Sequence, residues 1–428
     1  MTRFFQYLAL STFCACALIH SPAIASDWPQ YRGPTHDGIS TETLKLPWPA
    51  GGPKILWTAP TTNGFSSFSV GDGEAFTQVG REANGSPREF CIALDAATGK
   101  ELWAVDVGES KYQGGGDSGA KNNKGGDGPR STPVISDGKV YVLSSELVLD
   151  CLDAKSGKQV WTKDLVKDFG GKNITWKNAA SPLIDGDLLY VAAGGAGESF
   201  IAFNKKSGAV AWKSGTEKIT QATPVIGTIL GVRQVVFFTQ SGLVSVAPDS
   251  GKELWKYPFK YSTSTAASPV ICGDIVYCAA GYNVGSGACK ITKEGGGLAA
   301  VQIWRLTGNK PVANHWSTPV YNDGYLYGMF SFKEYGSGPL KCVEVATGKV
   351  MWEKAGFGAG QVILAGDKLL ALTDDGQIVA VQATPTGYAE ISRAQAVTGK
   401  CWSTPALSDG RLYVRSTKEG ACLELNAK

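Results

Sequence analysis

Histidine is nearly absent from this chain, and long apolar runs and blocks of like charge are scarce. Of three histidines in 428 residues, only His36 and His315 lie beyond the first 25 residues. A histidine-rich metal site is therefore nearly excluded, and a Ser–His–Asp mechanism would depend on one of these two side chains. Lys and Arg number 41 against 38 Asp and Glu, for a net charge of +3. No basic stripe indicates a nucleic-acid or anionic-lipid partner.

The one targeting pattern is at the N-terminus. Arg3 supplies a positive residue, Tyr7–Ile19 is apolar, and Ala23-Ile24-Ala25 is a small-x-small cleavage pattern. These features predict a signal peptide over residues 1–25 and a periplasmic or secreted protein that begins near Ser26. The apolar run is too short to span a bilayer, and no later stretch predicts a transmembrane helix.

What the sequence does contain is a recurring tryptophan. Most copies end an Ala-x-Asp-x-x-Thr/Ser-Gly-Lys-x-x-Trp motif, as in Ala93–Trp103, and they lie roughly 48 residues apart. One large aromatic residue per module predicts packing between neighbouring modules rather than a redox or ligand role. The tryptophans assigned to this structural docking are Trp57, Trp103, Trp161, Trp212, Trp255, Trp304 and Trp352.

Each repeat predicts four short strands. The first begins with a Ser/Ala-Thr/Ser-Pro step, as in Ser131-Thr132-Pro133, where a strand tolerates proline. An Asp-Gly turn such as Asp137-Gly138 leads into the second strand. The third strand precedes the Thr-Gly-Lys turn, and the fourth starts with the tryptophan. Eight such modules are counted, and the one over residues 360–397 is degenerate, with Ile391 in place of tryptophan.

The last module, Trp402–Lys428, has three strands, and Pro53–Ala59 supplies the missing fourth. The sequence therefore predicts an all-β fold over residues 53–428. It is an eight-bladed β-propeller of four-stranded antiparallel blades, closed by sharing one blade between the two termini. Residues 26–52 are predicted to form an arm packed on the ring. The Gly-rich stretch Glu109–Gly128 is long for a propeller loop, and its role stays open.

Eight cysteines follow the predicted signal peptide, without a CxxC motif. Four of them occupy one slot of the repeat and are predicted to be small buried residues: Cys91, Cys151, Cys342 and Cys422. Cys278 and Cys289 flank one strand–loop–strand segment, and a disulfide between them is the less favoured alternative.

The repeats resemble those of the PQQ-like repeat family of eight-bladed propellers, over nearly all of the chain beyond the signal peptide. The segment Asp27–Gly38, DWPQYRGPTHDG, is similar to the start of many exported BamB-like proteins. The resemblance implies one of two functions. One is a quinoprotein dehydrogenase that holds PQQ and calcium above the channel, and the other is a non-enzymatic component of outer-membrane protein assembly, as BamB is. The dehydrogenases often carry two adjacent cysteines, which this chain lacks beyond residue 25.

One residue per blade converges on the channel mouth of a propeller, where each innermost strand begins. Phe65 and Thr265 hold two of these positions. The predicted ligand-binding residues at the mouth are Arg130, Lys177, Asn178, Gln221, His315, Trp316, Gln361, Lys400 and Trp402. This polar, cationic and aromatic set suits an anionic or carbohydrate-like ligand, or a peptide edge, better than a divalent cation. The plain alternative is that these residues only cap the channel through hydrogen bonds and water.

The leading hypothesis is an exported, monomeric propeller that binds or scaffolds cell-envelope proteins or glycans, with no cofactor, no metal and no assigned catalytic residue. Its place in outer-membrane protein assembly follows from the resemblance alone. Two alternatives are kept: a PQQ- and Ca²⁺-dependent alcohol or sugar dehydrogenase, and a carbohydrate-binding propeller without catalysis.

Overall fold

The structure is a computed structural model that describes residues 27–110, 128–330, 334 and 336–426. The predicted signal peptide lies outside these residues, as does most of the Gly-rich stretch. The described residues form eight antiparallel sheets, and the strand that comes first in each repeat is the innermost. This arrangement confirms the predicted all-β, eight-bladed propeller. We number the blades 1 to 8 in chain order, each with its strands from the inside outwards.

The strands of blades 1 to 4 have these bounds. Blade 1 comprises Ser69–Gly71, Glu74–Ala83, Ser86–Asp95 and Glu101–Glu109; blade 2, Val134–Ser136, Lys139–Leu143, Val148–Asp153 and Gln159–Asp164; blade 3, Leu183–Asp185, Leu188–Gly195, Glu198–Asn204 and Val210–Ser214; blade 4, Val225–Ile229, Val232–Thr239, Gly242–Val246 and Glu253–Pro258. One short helix, Leu165–Phe169, follows blade 2.

Blades 5 to 8 complete the ring. Blade 5 comprises Val270–Cys272, Ile275–Ala280, Gly285–Glu294 and Gly297–Leu306; blade 6, Val320–Asn322, Tyr325–Met329, Leu340–Glu344 and Val350–Lys354; blade 7, Gln361–Ala365, Lys368–Leu372, Gln377–Gln382 and Glu390–Gln395; blade 8, Ala406–Ser408, Arg411–Arg415, Glu419–Glu424 and Lys54–Pro60. Blade 7 also carries Ile39–Ser40 as a parallel fifth strand beside its innermost strand. Within the described ranges, no helix has both the length and the apolar character needed to cross a membrane.

Blade 8 is built from both ends of the chain, as predicted. Lys54–Pro60 pairs antiparallel with Glu419–Glu424, and Trp57 lies opposite Cys422. The innermost strand of this blade contacts that of blade 1. The pairing covers the edge that Glu419–Glu424 would otherwise expose and so closes the ring.

Most of the recurring tryptophans lie against the following blade. Six indole N–H groups donate to a backbone carbonyl there, at 2.7–3.1 Å: Trp57 to Ala96, Trp103 to Ala154, Trp161 to Lys205, Trp212 to Pro248, Trp304 to Val345 and Trp352 to Thr384. Each acceptor lies three residues before the glycine of the turn between the third and fourth strands. Trp57 also packs directly on that glycine, since a Cβ added to Gly99 would lie 2.6 Å from the ring.

Trp255 departs from this pattern. Its indole N–H donates to Gln234 Oε1 of its own blade. The physical reason is that blade 5 has no Thr-Gly-Lys turn, because its third and fourth strands extend to ten residues each and meet at a glycine turn. Trp255 is still buried between blades 4 and 5, where it packs in a cluster with Val276 and Cys278.

All eight cysteines of the described residues are buried free thiols. In blade 5, Cys278 lies opposite Gly287 and Cys289 lies opposite Val276, so the two cysteines occupy different cross-strand pairs. The alternative of a disulfide between them is therefore not realised. The cysteine slot of the repeat serves as a small buried position in the third strand.

Candidate functional site

A cavity lies at the channel mouth, where the innermost strands begin. Its volume is about 130 Å³, which at a share of about 30 Å³ per water is room for roughly four waters. Among the predicted ligand-binding residues, those that line the cavity are Arg130, Gln221, His315, Trp316, Gln361 and Trp402. Phe65 lines it as well.

The other predicted residues lie beside the cavity rather than in its lining. Lys177 forms an ion pair with Glu146 at 2.9 Å. Asn178 Nδ2 donates to the carbonyl of Ala180 at 3.0 Å and stabilises the turn that precedes blade 3. Lys400 Nζ lies 4.7 Å from the centroid of the Trp402 ring. These three contacts hold the mouth together and do not place the side chains against a ligand.

Aromatic side chains form a continuous row along one side of the cavity. The ring of Trp402 lies 4.6 Å from that of Phe65 and 4.4 Å from that of Trp316. His315 continues the row with an edge contact to Trp316 at 4.8 Å, and Tyr282 follows at 5.2 Å from His315. We call these five residues the aromatic row. The rings of the row pack on one another, with face contacts among Phe65, Trp402 and Trp316 and edge contacts at His315, although these residues precede different blades.

Hydroxyl groups tie neighbouring blades together around the channel. They belong to the second residue of the Ser/Ala-Thr/Ser-Pro step, and each accepts a hydrogen bond from the backbone N–H at the same position of the preceding blade. The bonds measure 2.8–3.1 Å and run from Thr404 to Ser67, Ser67 to Thr132, Thr132 to Ser181, Ser181 to Thr223, and Ser268 to Thr318. Sequence reasoning found this motif but not its role, although its recurrence at one position per blade was the available signal.

Gln361 replaces the hydroxyl residue in blade 7. Its Nε2 donates to the carbonyls of Trp316 at 3.2 Å and Trp402 at 3.0 Å, so it connects blades 6 and 8 across blade 7. Because this atom donates to two carbonyls, it is the amide nitrogen, and the other amide atom is the acceptor Oε1. Within the part of the chain that the structure describes, Gln361 Oε1 and Thr404 Oγ1 have no hydrogen-bond partner. Both residues are 3% exposed and line the cavity.

The N-terminal arm forms the floor of the cavity. It contacts the innermost strands of blades 1, 2 and 3 on one side, through Trp28 with Val70, Pro29 with Ile135, and Gln30 with Ile184. On the opposite side, Arg32 donates to the carbonyls of Thr318 and Pro319 in blade 6. Tyr31, which lies between these contacts, lines the cavity. The arm therefore crosses the channel rather than only packing on the ring.

Two ionisable side chains of the arm are buried by this crossing. Arg32 is 2% exposed, and burial lowers the pKa of its guanidinium, which donates only to backbone carbonyls among the bonds described. Burial also lowers the pKa of His36 to about 4. His36 lies 3.3 Å from Gln30 Nε2 and is held in its neutral form at neutral pH.

The donor set of the mouth does not fit the calcium ion implied for the dehydrogenases. Calcium takes six to eight oxygen ligands, usually with carboxylates among them. Among the described residues, those that line the cavity include neither Asp nor Glu. Across the described ranges, no group of three or more His, Cys, Asp and Glu side chains is placed to hold a metal ion.

A second feature lies on the outer rim, in the fourth strand of blade 5. This edge strand, Gly297–Leu306, has the sequence GLAAVQIWRL, and its Val301 and Ile303 are 50% and 37% exposed. It carries no charged residue before Arg305. In every other blade, the outermost strand contains at least one Lys, Arg, Asp or Glu at its start, or closer to its middle than Arg305 is in blade 5. Among the described blades, blade 5 alone thus has an outermost strand whose first eight residues carry no charge.

Known proteins resemble this chain in sequence and in fold. The family model described as outer membrane protein assembly factor BamB matches residues 88–329 and 302–428. BamB of Shewanella oneidensis is 26% identical over 266 residues, which are 59% of this chain and 63% of that protein. BamB of Burkholderia pseudomallei is 24% identical over 366 residues, which are 76% of this chain and 86% of that protein.

A dehydrogenase shares the fold. The quinohemoprotein alcohol dehydrogenase of Comamonas testosteroni matches with a TM-score of 0.64 and 15% identity, over 94% of this chain and 81% of that chain. At that identity the likeness concerns the fold alone. The family model, in contrast, covers the sequence from residue 88 to residue 428. This protein therefore belongs to the family described as outer membrane protein assembly factor BamB.

Proposed function

We propose that this protein is a periplasmic binding and scaffolding factor in outer-membrane protein assembly. Family membership supports this function, as does the predicted signal peptide. The observation that carries the proposal is the edge strand of blade 5, because it offers a surface suited to an extended polypeptide.

An outermost strand presents a row of backbone N–H and C=O groups to solvent. Proteins usually protect such edges with charged residues, proline or short strands, because an exposed flat edge recruits another strand. The other blades follow this rule, with Asp106 in blade 1 and Lys163 in blade 2 as examples. The edge strand of blade 5 is ten residues long and leaves Val301 and Ile303 uncovered. An unprotected edge of this kind fits a partner that docks by adding a strand.

A partner that adds a strand needs an extended segment with alternating apolar side chains. Chains destined to become outer-membrane barrels have such segments, since their strands alternate between lipid-facing and lumen-facing residues. The proposed partner is therefore an extended strand, either of an unfolded barrel protein or of the assembly machinery. The dehydrogenase alternative has less support because the described residues that line the mouth include no carboxylate.

The proposal is tested in a bacterium that lacks its own BamB and receives this chain with a C-terminal tag. Two quantities are measured: the fraction of barrel protein that is folded, from heat-modifiable gel mobility, and the barrel-assembly proteins that copurify after cross-linking. We expect the chain to raise the folded fraction and to copurify with these proteins. A folded, exported chain that does neither would overturn the proposal.

Adding charge to the edge strand tests whether this surface, rather than another part of the ring, binds the partner. The double substitution Val301→Lys and Ile303→Lys adds two charges to the edge, which disfavours strand addition. Val160→Lys is the matched control, because Val160 is 48% exposed on the charged outer strand of blade 2. We expect the double variant to reduce copurification at least fivefold and the control to leave it unchanged, with equal melting temperatures. Equal copurification of both variants would remove blade 5 from the docking surface.

A further inference from the structure

The edge strand of blade 5, Gly297–Leu306, contains a regular stretch that the other outermost strands lack. In the other described blades, a shift in register of the β-bulge kind falls within the first three residues of the outermost strand. In blade 5 the shift comes later, between Gln302 and Trp304. A bulge twists an edge and ends regular pairing. Residues 297–301 therefore form a regular edge with no counterpart in the other described blades.

The turn before this stretch fixes which backbone groups point outwards. Gly295–Gly296 is a two-residue turn, with φ of +57° and +81°, between the opposed residues Glu294 and Gly297. The residues that flank such a turn exchange both of their backbone hydrogen bonds, and the pattern alternates from there. Leu298 and Ala300 are therefore the positions whose N–H and C=O groups point away from the third strand of the blade.

A contact on the other side of the hairpin agrees with this assignment. Ile291 lies opposite Ala300, and its N–H donates to the carbonyl of Asp274 at 2.7 Å, away from the edge strand. Ile291 and Ala300 are thus a pair that does not exchange hydrogen bonds. The edge strand is the last in its sheet, so among the described residues no strand pairs with the outward groups of Ala300.

The one charged side chain of the edge strand does not protect this stretch. The guanidinium of Arg305 donates to the carbonyls of Val284 at 2.6 Å and Ser286 at 2.8 Å. It also lies over the Phe259 ring, 4.2 Å from the centroid. Because these contacts hold the charge against the ring of blades, the side chain that the stretch presents to solvent is Val301, which is 50% exposed.

The size of the stretch favours an unstructured segment over a folded partner. A stable interface between folded proteins uses about 20–30 residues on each side, whereas this edge extends over residues 297–301. An added segment takes its affinity from main-chain hydrogen bonds and its selectivity from alternate side chains. A residue directly opposite Val301 places its side chain on the same face of the sheet, where an apolar group covers Val301.

We propose that an unstructured segment with an apolar residue at every second position adds antiparallel to residues 297–301 of blade 5, in one register. Leu298 and Ala300 exchange backbone hydrogen bonds with the segment, and its apolar side chains lie on the side of Val301. Antiparallel pairing is the more stable arrangement per residue. In this register the N–H groups of the apolar residues point away from blade 5, and those of the intervening residues point towards it. This inference rests on the proposed function and names the segment that its docking surface selects.

The test uses the chain from Ser26 and fluorescent peptides of about nine residues that alternate Val with Thr. One peptide is N-methylated on two Val residues and another on two Thr residues, so that the two have the same composition. Fluorescence anisotropy measures their binding. We expect the Val-methylated peptide to bind within about twofold of the unmodified peptide and the Thr-methylated peptide at least about tenfold more weakly. No binding of the unmodified peptide, equal binding of the two methylated peptides, or the reverse order overturns the proposal.

Ala300→Pro tests the same register from the side of the protein. Proline removes the outward N–H but no hydrogen bond of the existing ladder, and edge strands accept proline at such positions. We expect the variant to bind the unmodified peptide at least about fivefold more weakly. Ala300→Gly is the matched control, because it keeps the N–H and is expected to bind as the unchanged protein does. Equal binding by the two variants, at equal melting temperatures, contradicts the register. The peptide comparison decides the question if Ala300→Pro does not fold.

Two further readings keep this inference apart from its alternatives. Sedimentation of the unchanged chain as a dimer that Ala300→Pro dissociates would make a second copy the occupant and overturn the proposal. Peptide selectivity without any gain in barrel assembly in the bacterium would count against the proposed function alone. Assembly without peptide selectivity would count against this register alone.

Discussion

At the scale of single residues, tryptophan and glycine form one docking unit at five of the eight blade boundaries. Trp57 donates its indole N–H to Ala96 and lies over Gly99 of blade 1. Gly99 has a φ of +72°, which L side chains rarely adopt. The repeat therefore requires glycine here for two reasons: the turn needs a positive φ, and the tryptophan side chain leaves no room for a Cβ.

Gly99→Ala tests this unit, with Gly138→Ala as its control. Both glycines have positive φ, but a Cβ at Gly99 would lie 2.6 Å from Trp57, whereas one at Gly138 meets nothing within 4 Å. Both variants lose about 1–2 kcal/mol to the left-handed backbone. We expect Gly99→Ala to lose a further 1–3 kcal/mol, roughly, because the tryptophan must move. Urea unfolding measures both losses, and equal values would mean that Trp57 does not require the glycine.

His36 predicts the pH dependence of stability. Its pKa is about 4 in the folded arm because burial disfavours the charged form, against about 6.5 when unfolded. Between these values the unfolded chain binds a proton that the folded chain does not. The free energy of unfolding therefore falls as the pH is lowered from 6.5 to 4, by up to about 3 kcal/mol from this group.

Asn is the matched replacement because His36 has a φ of +64°, which Asn tolerates. His36→Asn is expected to flatten the fall in stability between pH 6.5 and pH 4. Denaturant unfolding at several pH values measures it. The same slope in both proteins would show that His36 is not the proton-binding group.

At the scale of elements, two N-terminal segments have different tasks. Ile39–Ser40 adds a parallel strand to blade 7, and the residues before it close the channel. Lys54–Pro60 instead completes blade 8. The first segment makes the floor of a cavity, whereas the second makes the ring continuous.

A truncation series separates these tasks. A chain that starts at residue 53 lacks the arm but keeps the closing strand, and a chain that starts at residue 61 lacks both. We expect the first to unfold cooperatively at a lowered melting temperature. The second loses the strand that pairs with Glu419–Glu424 and is expected to aggregate or unfold without cooperativity. Calorimetry with equal transitions for the two chains would contradict closure by Lys54–Pro60.

At the scale of the whole molecule, the reactivity of the cysteine thiols shows whether the blades of the ring stay packed. The eight cysteines are buried, and burial raises the pKa of each, as it does to about 12 for Cys342 in blade 6 and Cys422 in blade 8. Neutral buried thiols are poor nucleophiles. The folded chain from Ser26 is expected to resist a thiol reagent, and all eight cysteines should react once urea unfolds it. Rapid reaction of the native protein would mean that at least one blade opens.

The sequence predicted which types of residue gather at the channel mouth but not which of them line the cavity. Residues at the start of each innermost strand converge, as expected, and Arg130, Trp316 and Trp402 line the cavity. Lys177 and Lys400 were predicted with them but lie beside the lining, because an ion pair holds one and the Trp402 ring covers the other. Lys177 is one position from the lining residue Trp176 and Lys400 is two positions from Trp402, and no periodic pattern distinguishes residues that line the cavity from their neighbours.

The sequence by itself determined the blades and their closure, because hairpin turns, strand alternation and the tryptophan period are local patterns that repeat. Tertiary structure alone decided that the arm crosses the channel, that Gln361 joins two blades, and that Val301 and Ile303 at the edge of blade 5 stay exposed. These features depend on contacts between residues far apart in the chain, 41 and 45 positions for Gln361 and 286 for Arg32 with Thr318. Such contacts follow from the geometry of the closed ring and leave no periodic signal in the chain.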